Sequence, residues 1–82
     1  MKMNILKVFS RAGIVKRVFV TKSNDPEGWI VEVDVAGERI EPLERSRGGI
    51  RVFRDPGRVV STLQTTDVKE VVFRLDQIKS AR

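Results

Sequence analysis

An α+β domain is expected: a small, mainly antiparallel β-sheet of about five to six strands carrying one helix. Three observations predict it. The 82-residue chain holds 13 Val and 6 Ile against 4 Leu and 3 Ala, and β-branched side chains suit a pleated, half-buried surface. Short apolar runs alternate with polar residues and are separated by Gly, Pro, Asn and Asp clusters, the pattern of strands joined by turns. Only one segment, late in the chain, carries a complete helix start. The length suits one small domain, residues 1–82. A core drawn from so few apolar residues often supplies only ~3–5 kcal/mol. A homodimer that buries more surface is therefore expected.

The elements follow in order. Asn4 to Ser10, with Ile5, Leu6, Val8 and Phe9, reads as a first strand. Arg11-Ala12-Gly13 supplies a turn, and Ile14 to Thr21 alternates as the second strand of a hairpin. Ser23-Asn24-Asp25-Pro26-Glu27-Gly28 is a loop. Trp29, Val31, Val33 and Val35 then alternate with Glu32 and Asp34, the cleanest half-buried strand of the chain. Ala36-Gly37-Glu38 turns into a short strand, Arg39 to Leu43, which Pro42 confines to an edge or an ending. Glu44 to Gly49 is a polar loop, and Ile50 to Arg54 is a short strand. Asp55 at N-cap and Pro56 at N1 open a helix that runs to Gln64. Its apolar stripe is Val59, Val60 and Leu63. Val68 to Leu75 is the last strand, set parallel to the strand before the helix by a right-handed crossover. Asp76 to Arg82 reads as a frayed or short helical tail. The predicted order is β-β-β-β-β-α-β.

Composition removes most chemistry. There is no Cys and no His, hence no disulfide, no thiolate nucleophile, no cysteine zinc site and no imidazole base. Glu32 and Asp34 share a strand face, and paired carboxylates can act as acid and base or hold a hard cation. The same pair is ordinary on a solvated face. Ser10, Ser46 and Ser61 have no His to activate them, and nothing sets a lysine beside them. No catalytic residue, cofactor or metal is assigned, and no enzyme is expected. No apolar run approaches the ~18 residues of a membrane helix, and Met1 to Lys7 lacks a signal-peptide core. A cytoplasmic protein without a membrane partner is expected.

The net charge of +5 is unevenly spread. Residues 1–22 carry six basic groups and no acid; residues 23–44 carry seven acids and Arg39. Residues 45–58 carry Arg45, Arg47, Arg51, Arg54 and Arg58 against Asp55. These five arginines are the first candidates for nucleic-acid contact, because guanidinium forks grip phosphate and glycine lets backbone amides approach an anion. Gly48-Gly49 lacks a following Lys-Ser/Thr, so the segment is no nucleotide P-loop. Arg11, Lys16 and Arg17 on the basic hairpin are the second candidates, since a two-stranded ribbon can enter a major groove. The competing expectation neutralises both groups: the arginines by Glu41, Glu44 and Asp55, the hairpin by cross-strand pairing with the acidic segment. Strand alternation also sets Arg51 and Arg54 on opposite faces. Trp29, Phe9, Phe19, Phe53 and Phe73 are expected in the core.

Trp29-Ile30-Val31-Glu32-Val33, Pro42-Leu43-Glu44 and Arg47-Gly48-Gly49-Ile50-Arg51-Val52-Phe53-Arg54, followed by a short helix, carry a resemblance. Together they resemble small partition-associated proteins of the ParC type, borne by plasmids and integrative elements and unrelated to the topoisomerase subunit. The likeness spans roughly residues 5–75. Those proteins continue with a Leu-Asp-Ala-Ala-like helix, where this chain has Asp55-Pro56-Gly57-Arg58-Val59-Val60. The resemblance implies an accessory role in plasmid maintenance, by binding DNA or a partner protein, with no catalytic residues. A mobile-element DNA-binding or partition-associated module is thus expected. The alternative is a protein-interaction module, or a phage- or plasmid-encoded inhibitor, that acts without DNA contact.

Overall fold

The computed structural model describes residues 1–80. Along them lie helix α1 (Met3–Arg11), strands β1 (Arg17–Asp25), β2 (Glu27–Val35), β3 (Arg39–Pro42) and β4 (Val52–Phe53), helix α2 (Pro56–Leu63) and strand β5 (Glu70–Ser80). The class is α+β, a five-stranded mixed sheet with two short helices. The strands lie in the order β3-β2-β1-β5, and β4 pairs β2 off that path. Among the described residues every pairing between these strands but one is antiparallel; β5 runs parallel to β1.

The largest departure from the sequence expectation is at the start. Residues 4–10 are helical, so no hairpin forms from residues 4–21. Leu6 and Ser10 are buried on α1, and Met3 and Phe9 pack against the core. That spacing of three and four is a helix face. Ile5 and Val8 lie on the outer side, 41% and 61% exposed. Their β-branched character imitated a strand, but burying Leu6 and Phe9 together requires the helical period. The hairpin instead joins β1 to β2 through a tight turn at Asp25-Pro26-Glu27, with Asn24 opposite Glu27. The predicted loop over 23–28 is mostly strand.

The core face of the sheet is a valine lattice. Val18 faces Val33 and Val71 across its two ladders, and Val20 faces Val31 and Phe73. Val18, Val20, Val31 and Val33 are fully buried. Each such side chain contributes about 1.5–3 kcal/mol relative to an exposed one. Leu6 from α1 and Val59 and Leu63 from α2 close over them. Trp29 and Phe73 pack at the margin, rings edge to face at 6.0 Å. Helix α2 forms where predicted: Asp55 Oδ1 accepts from Arg58 N at 2.9 Å and Pro56 stands in the first turn.

On the opposite face Thr21, Ser23 and Ile30 are buried as well. Arg74 lies over the Phe19 ring at 3.9 Å, and Lys79 Nζ donates to both oxygens of Glu32, at 2.7 and 2.8 Å. Phe19 is therefore half-buried beneath a guanidinium on this side and is absent from the main core. The final strand departs from expectation twice. It is parallel to β1 and not to β4, and it runs through Asp76 to Ser80 where a frayed tail was predicted; Ala81 and Arg82 lie outside the described residues. Leu75, Asp76 and Gln77 form a bulge, since Thr21 pairs Arg74 while Lys22 pairs Ile78. Among the described residues no helix is long and apolar enough to cross a membrane.

Candidate nucleic-acid interface

Two adjoining clefts of about 640 and 440 Å³ open beside the 44–50 segment, β4 and α2. Arg51 lines both. The 44–50 segment is a miniature hairpin: Glu44 bridges Ile50, Arg45 N donates to Gly49 O, and Gly48 N donates to Arg45 O, both at 2.9 Å. Gly48 and Gly49 adopt φ of +94° and +82°, a region that suits glycine. A Cβ on Gly49 would lie 2.9 Å from the Arg45 guanidinium. Glycine there lets the guanidinium lie along the turn, where Arg45 Nε donates to Gly48 O at 3.1 Å. Arg47 is exposed at the tip.

Arg51 is half-buried over the Phe53 ring, 4.6 Å from its centroid. Arg54 is exposed on the bend before α2, and Arg58 stands in the first turn of that helix. Ser61 and Thr62 complete the wall of the smaller cleft, and Lys2 joins Arg45 and Arg51 in the larger. Only Val52 and Phe53 are paired as strand. Alternation therefore does not hold Arg51 and Arg54 apart, and α2 adds Arg58 beside them.

The carboxylates expected to quench these arginines are mostly engaged elsewhere. The Met1 α-ammonium donates to Glu44 Oε1 at 2.7 Å and to Pro42 O at 2.8 Å. That hydrogen bond, followed by the charge itself, holds the Glu44 carboxyl below its ordinary value. Glu41 pairs with Arg39 at 2.6 Å. Of the pairs expected here, only Asp55 with Arg58 forms, at 3.4 Å. Arg45, Arg47, Arg51 and Arg54 have no ion-pair partner among the described residues.

The second candidate group is dispersed. Arg11 ends α1, 3.8 Å from Asp67, and Arg17 pairs with Glu70. Lys16 lines a separate cleft with Arg17, Lys69, Asp34 and Glu70, where acid and base nearly balance. There is no basic ribbon, because the segment meant to form its first strand is α1. Cancellation against residues 23–44 is partial: Lys22 on β1 pairs across the hairpin with Glu27 on β2 at 3.6 Å, as expected, while Glu32 is taken by Lys79 on β5. Asp34 Oδ1 accepts from Gly37 N in the β2–β3 turn. No group of three or more metal-ligating side chains occurs among the described residues.

Sequence reasoning missed Lys2, Ser61 and Thr62. Lys2 reaches the site only because residues 1–2 lie alongside Glu44, a contact across more than forty residues with no local signal. Ser61 and Thr62 follow from α2, and their helical position beyond Arg58 was the available clue. No family model, no curated protein and no solved structure matches this chain.

Proposed function

We propose that this chain binds the phosphate backbone of nucleic acid, duplex DNA first, through Arg45, Arg47, Arg51, Arg54 and Arg58. The observation that carries the reading is that Arg45, Arg47, Arg51 and Arg54 have no carboxylate partner among the described residues while Glu41 and Glu44 are engaged elsewhere; Arg58, beside them, is held by Asp55. Clustered cations repel one another, and a polyanion relieves that repulsion while releasing its own counterions. Bidentate forks and adjacent hydroxyls suit phosphate oxygens. Stacking platforms for single strands are not part of this surface, since Trp29 and Phe73 pack at the core. On the sequence resemblance, the setting proposed is the upkeep of a plasmid or integrative element, as a DNA-binding or partition-associated accessory.

Fluorescence anisotropy with labelled duplex DNA over a salt series tests the reading. Five or six phosphate contacts would lose about 10³-fold in affinity between 50 and 200 mM salt. The double variant Arg47→Ala/Arg54→Ala touches no ion pair and should lower the salt slope by about 1.8, at ~0.9 per contact. Arg11→Ala/Arg17→Ala should leave it nearly unchanged. No binding at low salt, or equal losses from both doubles, refutes the assignment. A second reading, a protein-interaction module or small inhibitor, is favoured by one observation: Leu75 and Ile78 are 72% and 65% exposed on β5.

A further inference from the structure

β5 ends the sheet and, among the described residues, pairs only with β1. Glu70 N donates to Lys16 O at 3.1 Å. Strand alternation then turns the main-chain groups of Val72 and Arg74 toward β1, and those of Val71 and Phe73 toward the open edge. Natural edges are usually guarded by proline, lysine or a bulge. Residues 70–74 contain no proline and no lysine, the bulge starts only after Arg74, and Arg74 is drawn over Phe19. This stretch is an open template for another strand.

We propose that it pairs antiparallel with the same stretch of a second copy, centred on Val72. A two-fold axis normal to the sheet keeps each side chain on its own face, so some residue must oppose itself. Centring on Val71 sets Glu70 against Val72 and Lys69 against Phe73. Centring on Phe73 sets Val72 against Arg74 and draws Leu75, at the bulge, into the ladder. Centring on Val72 sets Glu70 against Arg74, Val71 against Phe73 and Val72 against itself. Opposite charges then meet, every apolar residue of 70–74 meets an apolar one, and the ladder stops where the bulge begins. Val71 and Phe73 form the hydrogen-bonded pairs, giving four main-chain bonds across the axis. Glu70 would sit between Arg17 of its own chain and Arg74 of the second copy. Leu75, now 72% exposed, would come to lie against the Lys69 stem of the second copy.

The chain has no cysteine, so a single Val72→Cys reports the register. In a non-hydrogen-bonded antiparallel pair the Cα atoms lie about 4.5 Å apart, within disulfide reach. Mild oxidation of V72C should give a covalent dimer, whereas L75C and V60C should remain uncrosslinked. Sedimentation equilibrium of the unaltered chain should show a monomer–dimer equilibrium. Val72→Lys, which opposes two ammoniums, should weaken it by about a hundredfold or more. Glu70→Lys, at an exposed position, should weaken it in the same direction if V72K fails to fold. A monomer at every concentration overturns the proposal, as does a dimer that crosslinks better from L75C than from V72C. No DNA enters the assay, so its outcome is independent of the nucleic-acid reading.

Discussion

Gly28 has no room for a side chain. A Cβ there would lie 2.5 Å from Phe53 O and from Val52 Cγ1, where β4 crosses the start of β2. Neither backbone nor a packed valine can retreat easily. Gly28→Ala should therefore destabilise the fold by about 1–3 kcal/mol, measured as a lower urea midpoint at unchanged slope. Glu44 makes a different kind of statement. Its carboxyl is held down by the Met1 ammonium, so its folded value lies below its unfolded one. The stability it contributes is present above the ordinary glutamate range and is lost as pH falls through the lowered folded value. Glu44→Gln should lower the urea midpoint at pH 7, and the difference should shrink steadily as pH is taken down below the ordinary glutamate range. A difference that stays constant across that acid range would sink the linkage. Neither Gly28 nor Glu44 was legible as a special position, because both depend on segments far away in sequence: Phe53 for one, Met1 for the other.

The elements divide by whether their pattern had one interpretation. Trp29 to Val35 alternates strictly and is β2; Asp55-Pro56 with Val59 and Leu63 is α2. Asn4 to Ser10 reads as a strand in sequence because Ile5 and Val8 add β-branched residues to what is a helical face of Met3, Leu6, Phe9 and Ser10. Tertiary burial of Leu6 overrides that pattern. Leu6→Ala should cost about 2–5 kcal/mol, whereas Ile5→Ala on the outer side should be far milder; similar losses in thermal melts would contradict the helical face. At the start of α2, Asp55 both caps the helix and holds Arg58. Asp55→Asn preserves a capping oxygen but releases the guanidinium. It should change the melting temperature little and strengthen DNA binding at low salt. A weaker complex would argue against Arg58 as a phosphate contact. Among the candidates, the arginines of 45–58 were legible as a cluster in sequence. What was not legible was that β4 spans only two residues, so that Arg51 and Arg54 escape alternation.

At the scale of the molecule the decisive contact is β1 with β5. Arg17 and Glu70, opposite one another in that ladder, are 53 residues apart. The β1–β2 part of the valine lattice is a local hairpin, but Val71 and Phe73 join it only once this long loop has closed. Refolding should accordingly take about milliseconds to seconds, followed by the fluorescence of Trp29, the only tryptophan; microsecond refolding would show that the ladder is not limiting. The same closure settles the charge map. Arg11 and Arg17 meet Asp67 and Glu70, and Lys79 meets Glu32, so the surplus collects on the surface of residues 45–58. By itself the sequence determined the class, through its β-branched alternation and its one capped helix, and, through the missing His and Cys, that no thiol or imidazole group lies in these 82 residues. It also determined that residues 45–58 are the most basic stretch, because adjacency is enough to cluster charge. Only the tertiary structure decided that the first segment is a helix, which strand lies beside β1, and which carboxylates are engaged away from the arginines. Those outcomes turn on partners tens of residues distant, and local patterns carry no information about which of several compatible faces the rest of the chain will cover.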